Sequence, residues 1–342
     1  MQKVRLGKTN LQVTRTAFGA LPIQRLNGED AAILLRKAYE AGINFFDTAR
    51  GYSDSEEKIG HALSEVRHHV IIATKSGAED RKTLRDNLET SLCKLKTDYI
   101  DLFQLHNPGS LPNLEDPDGA CQALLDAKRE GLVRHIGLTN HRLDLAMKAV
   151  ASGLFETVQF PLSSLSSADD LALVAACKKL DVGFIAMKAM SGGLITHAAS
   201  TFAFLRQYEN VVPIWGIQRV SELEEFIAFE KNPPEMDQAM TAAIEKDRLE
   251  LAGAFCRGCG YCMPCPAGIP IPLAARMTFL LRRSPYQGFM TAQWQEQMER
   301  IDACQHCGQC TRQCPYNLDT PEILKTMLSE YRTFIAEHAT TS

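Results

Sequence analysis

Eight cysteines carry the most specific chemistry in this chain. They form two runs, Cys256, Cys259, Cys262, Cys265 and Cys304, Cys307, Cys310, Cys314. The second run has the spacing C-x2-C-x2-C-x3-C before Pro315, and the first shortens only its last step, ahead of Pro266. Thiolates at successive three-residue steps wrap a cubane, each cluster taking three ligands from one run and a fourth from the other. Two runs therefore specify two [4Fe-4S] clusters. A pair of tetrahedral zinc sites is the alternative, although zinc modules typically separate their C-x2-C pairs by a longer loop. Cys304-Gln305-His306-Cys307 is not a haem attachment, because Gly308 follows where a histidine is needed. Cys93, Cys121 and Cys177 fall on expected helices and read as core residues.

A second set of reactive side chains is spread more thinly. Asp47 follows the apolar run Ile43-Asn44-Phe45-Phe46, and Tyr52 lies in the loop beyond it. Lys75 closes the run that starts at Val70, and His106 closes the one that starts at Tyr99. Singly, each has an ordinary explanation: a helix cap, half an ion pair, a loop hydrogen bond. Together they fit a proton-transfer device. A tyrosine with a pKa near 10 is a poor acid or base at neutral pH. A neighbouring ammonium stabilises its phenolate, a carboxylate holds the ammonium, and His106 can orient a carbonyl oxygen beside the hydroxyl.

Such a device needs a scaffold that brings strand ends together. From Leu6 to about Phe229, short apolar runs alternate with segments of helical period. Thr16 to Ala20 is the first expected strand and Val211 to Trp215 the last, with Val133 to Leu138, Val158 to Phe160 and Val182 to Met187 among those between. Helices are expected over Asp30 to Ala41, Ser55 to Val66, Thr83 to Leu95 and Leu114 to Glu130, several followed by a capping glycine (Gly42, Gly131, Gly153). Eight strand–helix units in about 230 residues predict a (β/α)8 TIM barrel, α/β in class, with chemistry at the C-terminal ends of its strands. A doubly wound sheet is the alternative, but Gly19-Ala20-Leu21-Pro22 is no phosphate-binding fingerprint. Arg5-Leu6-Gly7-Lys8-Thr9 lacks the first glycine of a P-loop and reads as part of an N-terminal hairpin. The expected domains are the barrel over 1–232, a linker helix over 233–253 and a small α-helical cysteine module over 254–342. With 1.5 Å per residue, a helix from Glu235 to Gly253 would span roughly 25–30 Å and could return the module over the barrel mouth.

Composition excludes several partner classes. The chain of 342 residues has 37 Lys+Arg against 41 Asp+Glu, a formal charge of -4, so no basic field invites nucleic acid or anionic membranes. No apolar run approaches the roughly 18 residues of a membrane span, and no signal-peptide core is visible. With clustered cysteines, a cytoplasmic protein is expected.

Residues 1 to about 230 resemble the aldo-keto reductases. Phe46-Asp47-Thr48-Ala49, Tyr52-Ser53-Asp54-Ser55-Glu56, Ala73-Thr74-Lys75 and Leu105-His106-Asn107-Pro108 match that family's catalytic blocks in order. The resemblance implies a tetrad of Asp47, Tyr52, Lys75 and His106, with Tyr52 as general acid in reduction. It also implies NADP(H), or NAD(H), lying across the barrel mouth. The same matching assigns Thr139, Asn140 and Gln159 to the nicotinamide, with Gly19 and Asp47 beside them. Gly216, Arg219, Ser221 and Glu225 are assigned to the adenine end. The chain departs from the family at Pro161 and Leu162, where Asn and Tyr are usual, and in the block Met187-Lys188-Ala189-Met190, which lacks the aromatic that often stacks on the nicotinamide.

The cysteine module resembles the α-helical two-cluster ferredoxins, and the whole chain resembles the aldo-keto reductases that carry a C-terminal iron-sulfur domain. The expected substrate is a small carbonyl or alcohol, read by Asn107 to Asp118, Ser191 to Ala198 and the module. A cluster moves one electron whereas nicotinamide moves a hydride, so a relay needs a flavin, another redox centre or a partner protein such as a ferredoxin. Three functions stay open at this point: a carbonyl reductase with structural clusters, an electron-relay oxidoreductase, and a non-catalytic cofactor-sensing partner.

Overall fold

A computed structural model describes residues 1–251, 255–283 and 286–339. The chain opens with an antiparallel hairpin, β1 (Lys3–Arg5) and β2 (Gln12–Thr14), joined through the 3₁₀ turn Gly7–Thr9. Eight parallel strands follow: β3 (Ala17–Gly19), β4 (Phe45–Asp47), β5 (Ile71–Ser76), β6 (Ile100–His106), β7 (Val133–Thr139), β8 (Thr157–Pro161), β9 (Gly183–Met187) and β10 (Val211–Gly216). Each pairs with the next and β10 pairs with β3, closing the barrel. Its helices are α1 (Gly28–Glu40), α2 (Ser55–Leu63), α3 (Arg81–Leu95), α4 (Ala120–Arg129), α5 (Leu143–Ala151), α6 (Ala168–Lys179), α7 (Ala198–Arg206) and α8 (Val220–Lys231). The (β/α)8 expectation therefore holds.

Local chemistry explains where the helices start and stop. Asn27 and Asp80 accept the backbone N–H three residues on, and Ser167 with Asp170 forms a reciprocal capping box. Gly42, Gly131 and Gly153 take positive φ behind α1, α4 and α5. Two expected helices are shorter than their periodicity. The segment expected from Leu114 becomes helical only at Ala120, because Pro117 lacks an N–H and Gly119 N–H closes a turn on Asp116 O. The segment expected to Val66 leaves α-geometry at Leu63 and continues as a 3₁₀ turn, Ser64–His69. Cys121 and Cys177 are buried, as expected, but Cys93 is exposed. The buried stripe of α3 is Leu84, Leu88, Ser91 and Leu95, which leaves Cys93 outside it.

The hairpin stoppers the N-terminal end of the barrel. Leu6 and Val13 join Ala17, Phe45, Ala73, Leu102, Ile185, Val212 and Ile214 in one buried cluster. Gly7 makes this possible: its φ is +52°, and a Cβ there would lie 2.2 Å from Gly183 N. The sequence Gly7-Lys8-Thr9 thus serves the hairpin turn.

The chain divides into two compact units. One is Met1–Ala189 with Ala198–Ile244; the other is Met190–His197 with the described residues from Glu245 onward. Between the barrel and the cysteine runs lies α9 (Gln238–Glu250), whose first turn is fixed where Asp237 Oδ1 accepts Met240 N–H. Its 13 residues make it shorter than the expected linker helix. The expected boundary at residues 253 and 254 lies outside the described residues. In the second unit, Arg276 donates to Gly192 O and Pro272 O.

The second unit is helical, built from α10 (Ile271–Ala274), α11 (Met277–Arg283), α12 (Ala292–Glu299), α13 (Gln309–Arg312) and α14 (Thr320–Ala339). The helices between the two cysteine runs are short: α10 and α11 are separate, and Thr291 caps a fresh start at Ala292. Ile271, Met277, Leu281, Met298, Leu324 and Leu328 form the centre of its core. Among the described residues, no helix is long and apolar enough to cross a membrane.

Candidate active site and cysteine cavities

The barrel ladder sets the level of the candidate groups. His106 pairs with Thr139 and Thr139 with Gln159 at the C-terminal strand ends, while Asp47 closes β4 beside Ala73. Lys75 Nζ donates to Asp47 Oδ1 at 2.7 Å and to Thr48 O at 2.6 Å. Both partners are out of solvent, at 0% and 2% exposure. Desolvation pushes Lys75 below and Asp47 above their usual ranges, and their mutual attraction opposes both shifts. Removing either partner would strand a buried charge, typically a loss of about 3–5 kcal/mol.

Tyr52 is held over this pair by local turns. Its N–H donates to Ala49 O and its carbonyl accepts Ser55 N–H at the start of α2. The Lys75 ammonium lies 5.3 Å from the centroid of the Tyr52 ring. His106 meets the same ring edge-on, with centroids 6.0 Å apart and planes at 83°. Burial, reinforced by the Lys75 charge, lowers the His106 pKa to about 3, so its imidazole is neutral at physiological pH. Phenol, lysine–aspartate pair and neutral imidazole are thus gathered at one point.

Beneath them runs a chain of amides. Thr139 Oγ1 donates to Gln104 Oε1, Gln104 Nε2 donates to Gln159 Oε1 at 2.8 Å, and Gln159 Nε2 faces Asp47 Oδ1 at 3.5 Å. Asp47 Oδ2 is buried without a hydrogen-bond partner in the described structure. A buried acceptor of this kind fits a ligand that brings a donor. Asn140 faces a different way: its amide spans Pro108 O and Arg142 N–H, tying two mouth loops together.

Gly19 ends β3, where a Cβ would lie 3.0 Å from Trp215 O. Gly216, Arg219, Ser221 and Glu225 are exposed, at the end of β10 and the start of α8. Glu222 caps α8 by accepting the N–H groups of Gln218 and Arg219. A second cation reaches this corner, since Arg25 Nη1 donates to Gln218 Oε1 at 3.0 Å.

The second unit gathers its thiols around two cavities. One, of about 390 Å³, is lined by Cys262, Cys265, Cys304, Cys307 and Cys310, with Ile269, Ile271 and Leu324 as apolar wall. The other, of about 330 Å³, is lined by Cys256, Cys259, Cys262 and Cys314, with Ile271, Tyr316 and Leu318. Each cavity therefore draws on both cysteine runs. The thiols ring a space instead of closing on a point, and no three metal-binding side chains converge on one ion among the described residues. That donor set suits a polynuclear cluster better than a single zinc ion.

The family model for the aldo/keto reductase family matches residues 15–204, more than half of the chain. The chain belongs to the aldo/keto reductase family. A model for a 4Fe-4S dicluster domain matches residues 255–319, so this aldo/keto reductase carries a C-terminal 4Fe-4S domain. It is 28% identical over 212 residues to the uncharacterized oxidoreductase YqkF of Bacillus subtilis, covering 57% of this chain and 67% of that protein. It is 40% identical over 142 residues to the methylglyoxal reductase DkgB of Escherichia coli O157:H7, covering 40% of this chain and 52% of the relative. The chain thus spans about two thirds of the first relative and about half of the second. Among solved structures, the aldo/keto reductase of Klebsiella pneumoniae in complex with NADP and acetate matches with a TM-score of 0.62 at 20% identity. That match covers 72% of this chain and 94% of the other, and it shows the fold.

In this aldo/keto reductase several residues at the mouth carried no sequence signal. Gln104 lies two residues before His106 on β6 and links Thr139 to Gln159. Met187, at the end of β9, brings Sδ to 3.9 Å from Gln159 Nε2. His141, next to Asn140, is buried and held well below the usual histidine range by desolvation and the charge of Lys188. Arg25 comes from the turn after β3, far in sequence from the residues it joins.

Proposed function

We propose that this aldo/keto reductase interconverts a small carbonyl and an alcohol, with Tyr52 as general acid in the reductive direction. The observation that carries the reading is the buried Lys75–Asp47 pair with its ammonium 5.3 Å from the Tyr52 ring. A nicotinamide, NADP(H) or NAD(H), would supply the hydride to the carbonyl carbon. Tyr52 O–H donates its proton to the carbonyl oxygen, Lys75 stabilises the phenolate left behind, and solvent returns the proton. His106, being neutral, can donate an N–H to the same oxygen without adding charge. Asp47 holds Lys75 in place and offers Oδ2 to the ligand. Thr139, Asn140 and Gln159 would bound the nicotinamide end of the groove. The exposed Gly216, Arg219, Ser221 and Glu225 would meet the adenine end.

The name of the relative methylglyoxal reductase supplies a small dicarbonyl as probe. Tyr52→Phe is expected to reduce kcat for methylglyoxal by about 10²–10⁴-fold, while nicotinamide affinity by fluorescence titration stays within about two-fold. Retained turnover in the variant would remove Tyr52 from the role.

The cysteines would hold two [4Fe-4S] clusters, one on Cys304, Cys307, Cys310 and Cys265, the other on Cys256, Cys259, Cys262 and Cys314. The cavity linings support this exchange of fourth ligands. Anaerobically purified protein should then contain about eight iron and about eight acid-labile sulfide per chain. Zinc without sulfide would sink the assignment. In this reading the clusters staple the second unit, and the protein works in the cytoplasm, where thiols stay reduced. A relay to a partner such as a ferredoxin is favoured by one observation, the exposure of Cys307. Bleaching of the visible cluster absorbance on adding NADPH would select the relay; an unchanged spectrum would select the staple.

A further inference from the structure

Glu56 is a carboxylate that the proposed reaction leaves unused. It lies in the first turn of α2, four residues past Tyr52, and its side chain is wholly out of solvent. Its Oε1 accepts the hydroxyls of Thr74 and Ser91, each at 2.7 Å, and its Oε2 pairs with the Arg50 guanidinium. Thr74 directly precedes Lys75 in β5. Arg50 N–H donates to Lys75 O at 2.8 Å, and Thr48 N–H donates to Ala73 O at 2.8 Å. The loop that bears Tyr52 is therefore fastened to the strand that bears Lys75 at two places. Backbone hydrogen bonds hold its upstream end, and Glu56 holds its downstream end.

The partners around Glu56 are all donors: two hydroxyls and a guanidinium, the set that a carboxylate accepts. Its charge reaches Lys75 and favours the ammonium, adding to the field of Asp47. Lys75 thus feels two carboxylates, Asp47 in contact and Glu56 through its field.

We propose that Glu56 is a positioning residue for carbonyl reduction: its negative charge, clamped by Arg50, Thr74 and Ser91, keeps Tyr52 and Lys75 both protonated at working pH. This rests on the reading of Tyr52 as general acid. Interacting groups lose protons as a pair. Taking away a nearby negative charge lets either member of the pair deprotonate earlier, so the first loss moves to lower pH whichever residue gives up the proton. Reduction requires the hydroxyl proton, so its alkaline limb must follow.

The test compares wild type, Glu56→Gln, Ser91→Ala and Arg50→Gln in NADPH-dependent reduction of methylglyoxal between about pH 6 and 10. Glu56→Gln should move the alkaline limb of kcat down by about one pH unit, with KM for methylglyoxal within about two-fold. Ser91→Ala removes a hydrogen bond to the same oxygen and keeps the charge, so its limb should coincide with that of wild type. Arg50→Gln leaves the carboxylate and deletes the cation, so its limb should move up; it also serves if Glu56→Gln does not fold. A Glu56→Gln limb at the wild-type pH would overturn the proposal, as would an equal shift in Ser91→Ala. Phenolate absorbance, taken as each protein minus its own Tyr52→Phe derivative, reads the same ionisation without turnover. If wild type leaves methylglyoxal untouched, the carbonyl-reductase reading falls, and this titration still decides whether Glu56 sets the ionisation of Tyr52.

Discussion

The barrel and the cysteine unit position reactive groups by opposite means. In the barrel, eight hydrogen-bonded strands and fully buried aromatics such as Phe18, Phe45, Phe103 and Trp215 fix the backbone first, and reactive side chains are placed at strand ends afterwards. The cysteine unit has two helices of only four residues, α10 and α13, and its longest regular element is the single helix α14. Helices that short do not hold themselves in water. Its cysteines sit around cavities that interrupt its small core. One region builds a scaffold that then receives chemistry; on the proposed reading, the other would need its clusters in order to become a scaffold.

The largest expected effect separates the two directly. Anaerobic removal of iron by chelation should abolish amide protection over most of residues 255–283 and 286–339, because structural metal binding is folding free energy. Protection in β3 to β10 should persist. Equal loss of protection in the barrel strands would break the contrast.

A smaller effect is expected inside the barrel. Lys75→Met leaves Asp47 buried without its cation, so the barrel should lose about 3–5 kcal/mol of stability in denaturant unfolding, with iron content unchanged. If stability hardly changes, the pair is not as enclosed as its 0% and 2% exposures indicate.

The smallest effect is a pH slope. His106 has a folded pKa of about 3, below the usual 6.5, so between these values the unfolded chain binds the extra proton. Its contribution is present above pH 6.5 and is lost as pH falls toward 3. From pH 7 to 5.5 the barrel should lose about 1 kcal/mol on this account, and His106→Gln should lose correspondingly less. Identical slopes in the two proteins would mean that the unfolded state gains no proton at this position.

The parts legible in sequence are those written in local spacing. The cysteine runs, the glycines behind α1, α4 and α5, and the polar residues closing β4, β5 and β6 all sit within a few positions of the pattern that reveals them. What stayed hidden depends on distant partners. Glu56 looks like an ordinary acidic first turn of α2, and only closure of the barrel puts Thr74 and Ser91 against it. Arg25 becomes a neighbour of Gln218 only because β3 and β10 are adjacent in the closed sheet. Cys93 was misread for a simpler reason: helical position alone says nothing of which side of α3 meets the strands. Periodicity also overran Pro117, where one missing N–H outweighs a favourable apolar pattern.

The stopper formed by β1 and β2 has a kinetic consequence. Leu6 and Val13 add a floor beneath side chains that already fill the barrel's interior. On the proposed reading, whatever reaches Lys75 would enter and leave by the C-terminal mouth. Traffic through one opening is last in, first out, so the ligand seated deeper leaves after the one above it. The binding sequence of two reactants would then be written into the backbone before either arrives, and product-inhibition patterns would inherit that sequence.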